Sequence, residues 1–171
     1  MSNIRLIIGI DPGSQVTGYV LIQGDEKGRM SCLAVGRIKP TASWPLSRRL
    51  KAVYDGLLEI LDQHQPLEMA VEDIFFARNA RSALALGHVR GVALLAAATH
   101  GLPVHDYSPR TIKKALVGYG QASKEQVSHM VYSLLNLEAG LGLDETDALA
   151  CAICHLHTSA TLNRMGLGAG R

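Results

Sequence analysis

The sequence predicts an α/β fold: a mixed five-stranded sheet with helices packed on both faces. Two observations carry this. The first forty residues hold three short, β-branched apolar runs separated by turn chemistry, which reads as an antiparallel meander. After residue 46 the apolar spacing changes to three and four, and two more short apolar runs alternate with helical patterns. The order β-β-β-α-β-α-β, followed by helices, then lets the late strands join the meander through right-handed crossovers.

Each element has its own signal. Residues 6–10 are an unbroken apolar run that meets Asp11-Pro-Gly-Ser, a turn. Residues 16–22 and 32–38 are the second and third strands, with a charged turn at 24–28. Leu46, Leu50, Val53, Leu57, Leu58 and Leu61 describe one apolar helical face, ended by Gln65-Pro66. Residues 69–72 form a short strand. An Ala-rich helix over 80–100 is stopped by Gly101 and Pro103, and 104–107 is the last strand. Pro109 opens a short helix, and two more helices cover 124–135 and 146–157.

The chain has 171 residues, 47% of them hydrophobic, 19% charged and 5% aromatic. That suits one domain with a sizeable aliphatic core and excludes a disordered chain or a disulfide-stapled miniprotein. The expected setting is the cytoplasm, with no membrane segment and no signal peptide: five residues separate Arg5 from Asp11. A net charge of +2 is too balanced to argue for nucleic acid. Its distribution is more telling. Between residues 78 and 124, Arg78, Arg81, Arg90, Arg110, Lys113, Lys114 and Lys124 face one acid, Asp106. Solvated helix faces would account for them, as would a surface that receives a polyanion.

The carboxylates gather elsewhere. Asp11 and Glu72 end apolar strands, where open sheets place their chemistry. Asp144 and Asp147 stand three apart at the start of a helical pattern and share one face. Singly, Asp11 fits an Asx-turn, Glu72 a strand leaving the core, and Asp144 with Asp147 an N-cap and first-turn pair. Together they fit a site for Mg²⁺ or Mn²⁺, which take oxygen ligands in octahedral arrays. Two such ions about 4 Å apart drive in-line phosphodiester hydrolysis.

Three blocks point to a family. They are Ile8-Gly-Ile-Asp11-Pro-Gly-Ser14-x-x-Thr17-Gly-Tyr, then Val71-Glu72-Asp-Ile-Phe75-Phe-Ala-Arg78-Asn79-Ala-x-Ser82-Ala-Leu-x-Leu-Gly87-x-x-Arg90-Gly91, then Asp144-x-x-Asp147-Ala-Leu-Ala. With Pro109-Arg-Thr-Ile-Lys113-Lys-Ala-Leu-Val-Gly118-x-Gly120 and Ala122-Ser-Lys124-x-Gln126-Val, they closely resemble the RuvC family of Holliday-junction resolvases, collinearly from about residue 4 to about residue 158.

The resemblance implies a ribonuclease-H-like domain over 1–158, with 159–171 a flexible tail. It implies a homodimeric endonuclease that resolves four-way DNA junctions in recombination and repair, leaving 5′-phosphate and 3′-hydroxyl ends. Asp11, Glu72, Asp144 and Asp147 would hold two Mg²⁺ ions, with Mn²⁺ able to substitute. Lys113 would stand near the scissile phosphate. Phe75 would stack on a base at the crossover, and Arg78, Asn79, Arg81, Arg110, Lys114 and Lys124 would contact DNA. Ala83, Gly87, Gly91 and Leu94 would form the dimer seam, for which packing inside the domain is the alternative. A branch-migration motor of the RuvA-RuvB type is the implied partner.

Cys151-Ala-Ile-Cys154-His155 matches the pattern of covalent haem attachment. It also continues the last helix, where cysteine serves as a small apolar filler, and no haem is expected. A zinc site with His157 lacks a second ligand pair, and His64, His88, His100, His105 and His129 form no ligand pair by spacing. Two other function classes compete. One is a ribonuclease-H-like nuclease of the YqgF type acting on RNA, which lacks the block from Phe75 to Arg90. The other is a non-catalytic junction binder, or a nucleotide-binding module of the sugar-kinase and actin type, whose two-domain ATPases need about twice this length.

Overall fold

The computed structural model describes residues 4–25, 27–73, 80–138 and 140–165. Ten elements run in the expected order: β1 (Arg5–Asp11), β2 (Thr17–Gly24), β3 (Met30–Ile38), α1 (Leu46–His64), β4 (Glu68–Glu72), α2 (Ala80–Thr99), β5 (Val104–Tyr107), α3 (Pro109–Val117), α4 (Lys124–Leu135) and α5 (Leu143–Arg164). The strands form one sheet in the order β3-β2-β1-β4-β5, antiparallel across the meander and parallel across β1-β4-β5.

Strand alternation divides the core in two. Ile8, Ile10, Leu21, Met69 and Val71 face α1 and α2, where Val53, Leu57, Val89 and Ala93 meet them. Ile7, Val20, Ile22, Ala70 and Tyr107 face α3, α4 and α5. Because side chains alternate along a strand, Asp11 follows Gly9 onto the α5 face, and Glu72 follows Ala70.

Helix α5 lies across the middle of that face. Ala148 to Cys154 are buried on every side, so this stretch shows little amphipathic period. Gly9 admits the helix: a Cβ there would lie 2.5 Å from the Ala148 carbonyl and 2.8 Å from the Ala152 Cβ. The helix runs to Arg164 rather than ending at His157, so 159–164 is helical. It also begins at Leu143, which puts Asp144 inside the first turn and overturns its reading as an N-cap.

Helix α2 is long and apolar enough by composition to cross a membrane. In the fold it packs on the sheet and α1 through Val89, Ala93, Ala96 and Ala97. Its other side stays open, with Leu84 65% and Leu95 57% exposed.

Candidate active site

Asp11 and Glu72 end neighbouring parallel strands whose register pairs Ile10 with Val71, so the two carboxylates emerge side by side on the α5 face. Neighbouring strands lie about 4.8 Å apart, which brings both within reach of a shared cation. Asp144 and Asp147 come from the first turns of α5. What brings that turn onto the sheet is Gly18, the register partner of Asp11 on β2. The Gly18 backbone packs directly against the Asp144 carbonyl, where any Cβ would collide with it. Arg37 of β3 fixes the same turn through Glu145 at 2.9 Å. Arg49 of α1 donates to the Ser14 carbonyl and so braces the loop that follows Asp11.

The electrostatics follow from this crowding. Burial, then the charges of Glu72, Asp147 and Asp144, push the Asp11 carboxyl up to about 7. Burial and the charge of Asp147 push Glu72 to about 7 as well. Lys124 opposes both shifts, and Lys113 opposes the one on Glu72. Lys124 Nζ lies 3.0 Å from Asp147 Oδ2. Two caps position these lysines. Ser108 caps α3, accepting from the Thr111 N–H at 3.1 Å, with Pro109 in the first turn. Ser123 and Gln126 form a capping box that makes Lys124 the first residue of α4. An all-oxygen set of four acids against two lysines is electrostatically incomplete without further positive charge. Those four residues therefore fit a divalent cation of the Mg²⁺ or Mn²⁺ class.

The structure brings together Asp11, Glu72, Asp144, Asp147, Lys113 and Lys124. Phe75, Arg78 and Asn79 lie outside the described residues. Arg81, Arg110 and Lys114 are exposed on α2 and α3. Arg90 leaves the open basic surface, because it binds Asp106 at 2.6 Å and Asp73 at 3.8 Å. That clamp also draws Asp73, the neighbour of Glu72, to the Arg90 side. Gly87 and Gly91 face open space among the described residues, none of which comes within 4 Å of a Cβ on either glycine. Ala83 and Leu94 flank them, half-buried.

The Cys151-x-x-Cys154-His155 motif is buried, and burial pushes the Cys154 thiol to about 11 and the Cys151 thiol well above its ordinary value. His155 instead meets Glu68 and His105. Spacing gives His105 no ligand pair, and the fold corrects this by bringing Glu68 of β4, His105 of β5 and His155 of α5 together.

An acid cluster at the carboxyl ends of β1 and β4, closed by the first turns of a helix lying on the sheet, defines a nuclease of ribonuclease-H-like fold. The family model described as crossover junction endodeoxyribonuclease RuvC matches residues 7–155. Proteins of that name from Koribacter versatilis and Legionella pneumophila are 49% and 47% identical to this chain. The first match covers 93% of this chain and 96% of the relative, the second 95% and 92%. The solved structure of Thermus thermophilus RuvC in complex with Holliday junction substrate superposes with a TM-score of 0.85 at 34% identity, covering 95% of this chain and 97% of that one. The yeast mitochondrial Holliday junction resolvase shares the fold, with a TM-score of 0.69 at 13% identity over 92% of this chain and 82% of that one. The chain belongs to the RuvC family of crossover junction endodeoxyribonucleases. The RNA-nuclease and non-catalytic readings are not favoured.

Proposed function

We propose that this chain resolves four-way DNA junctions by cation-dependent hydrolysis of two phosphodiester bonds, leaving 5′-phosphate and 3′-hydroxyl ends. The observation that carries the reading is the convergence of Asp11, Glu72, Asp144 and Asp147 on one end of the sheet, with two carboxyls held near neutrality. Two bound Mg²⁺ ions would supply an activated water and stabilise the leaving oxygen. The protein's part is positional. Asp11 and Glu72 hold the shared centre from the rigid strand ends, and Asp144 and Asp147 close it from α5. Lys113 offsets charge developing on the phosphate, and Lys124 steadies Asp147 while facing the DNA.

One acid cluster makes one incision, whereas resolution needs two, so the working unit is a homodimer. The open face of α2, where Leu84, Gly87, Gly91 and Leu95 follow one another, supports a seam there. Phe75 stacks on a base at the crossover, and Arg78, Asn79, Arg81, Arg110 and Lys114 hold the backbone. The setting is cytoplasmic, beside a branch-migration motor of the RuvA-RuvB type.

Labelled four-way junction, linear duplex and RNA hairpin, each incubated with the purified protein in Mg²⁺, test the reading. Paired incision of the junction alone is the expected result. Cleavage of the hairpin, or equal cleavage of the linear duplex, would contradict it.

A further inference from the structure

A second polar cluster lies on the α5 face at the opposite end of β4, about 13 Å along the strand from Glu72. Glu68 opens β4, His105 stands on β5 and His155 on α5. Glu68 Oε2 is 2.7 Å from His155 Nε2 and 3.1 Å from His105 Nε2, and the three atoms lie within 4.8 Å of one another. In a tetrahedral site with bonds of about 2.0–2.1 Å, ligand atoms stand about 3.3 Å apart. Small side-chain movements would therefore admit a cation between them.

The surroundings are those of a held ligand set. His155 is 2% exposed, and its Nδ1 lies 2.8 Å from the Tyr107 hydroxyl. A cation that displaces the proton shared between His155 Nε2 and Glu68 Oε2 would leave Nδ1–H donating to Tyr107, the usual outer-shell arrangement of a ligating histidine. Arg5 ion-pairs with Glu68 Oε1 and also reaches Ser159 Oγ at 2.9 Å, so Oε2 alone is directed at the two imidazoles. The side chain of His105 is 41% exposed, which leaves the cluster accessible from solvent.

We propose that Glu68, His105 and His155 bind one zinc-class divalent ion, with a fourth position open to solvent. Two imidazoles and one carboxylate oxygen favour zinc over magnesium, whereas the four carboxylates at the other end have the reverse preference. The bound ion ties β4, β5 and α5 together and is independent of the cleavage site.

The test is zinc titration of the full chain, stripped with EDTA and returned to millimolar Mg²⁺, in competition with a chromophoric chelator. Wild type and Asp11→Asn should each bind one equivalent of Zn²⁺ at micromolar concentration or tighter, and Zn²⁺ should raise the melting temperature of both. His105→Phe and Glu68→Gln should lose at least tenfold in zinc affinity. His105→Phe, at a partly exposed position, should still melt cooperatively in EDTA. No stoichiometric zinc in wild type, undiminished zinc in folded His105→Phe, or loss of zinc in Asp11→Asn would each overturn the proposal.

Discussion

Lys124 holds its Nζ 3.0 Å from Oδ2 of Asp147, so the acid cluster carries a counter-charge in direct contact. That ammonium competes with a divalent cation for Asp147 while lowering the carboxyls of Asp11 and Glu72. Lys124→Met should therefore bind Mn²⁺ at least as tightly as wild type, yet cleave junctions at least tenfold more slowly. The salt slope of junction binding should fall by about one for the lost phosphate contact. Calorimetric titration with Mn²⁺ and single-turnover cleavage separate these effects; weaker Mn²⁺ binding would count against the assigned competition.

The two raised carboxyls make the cation-free protein sensitive to pH. A group whose folded pKa is raised contributes stability below its unfolded value, and that contribution is lost as the pH rises through the folded value. For Asp11 the window runs from 3.8 to about 7. In EDTA, Asp11→Asn should leave the melting temperature nearly unchanged from wild type below pH 3.8 and raise it at pH 8. The gain is on the order of 2–4 kcal/mol, since one pKa unit is about 1.4 kcal/mol. A lower melting temperature for the variant at pH 8 would contradict the burial and crowding assigned to Asp11.

Gly18 is the position where the sheet tolerates least. A methyl group there meets the Asp144 backbone and forces the first turn of α5 away from Asp11. Gly18→Ala should cost about 1–3 kcal/mol, the range for overpacking, and reduce cleavage far more than junction binding. Thermal melts read beside cleavage rates check this. Full activity would mean that the turn can shift without disturbing the acids.

Gly87 supplies the contrasting case, for no described residue lies within 4 Å of a Cβ built on it. Gly87→Gln should fold as well as wild type, since replacing a helix glycine gains up to about 1 kcal/mol of propensity. It should sediment as a monomer and convert linear product from a supercoiled cruciform into nicked circles. A folded Gly87→Gln variant that still linearises cruciforms in concert would move the seam elsewhere.

The strands and α1 were legible because their environment is one-sided or uniformly buried. The unbroken apolar run of β1 marks a strand covered on both faces, and the three-four spacing of Leu50, Val53, Leu57 and Leu61 reports the face that α1 buries. Asp11 and Glu72 were legible as strand ends, and their neighbourhood followed from topology. Helix α5 was harder to bound: buried all round from Ala148 to Cys154, it has no polar face to mark its period or its end. The role of Gly18 was hidden because a glycine in a strand does not say what approaches it. The Glu68–His105–His155 cluster was invisible for a related reason, since its members are brought together only by the β4-β5 register and the tilt of α5. The pairing of Arg90 was not legible among the basic residues of 78–124, because its acidic partners, Asp73 and Asp106, arrive from two other segments.

The central claim is that Asp11, at the end of β1, holds the cation centre for cleavage without contributing to the surface that grips the DNA. The direct measurement compares wild type and Asp11→Asn on one labelled four-way junction, reading binding in Ca²⁺ or EDTA and cleavage in Mg²⁺. Junction affinity should stay within a few-fold of wild type. Cleavage should fall by at least three orders of magnitude, about 4 kcal/mol of lost transition-state stabilisation. An Asp11→Asn protein that still makes paired incisions at a rate near that of wild type would contradict the account.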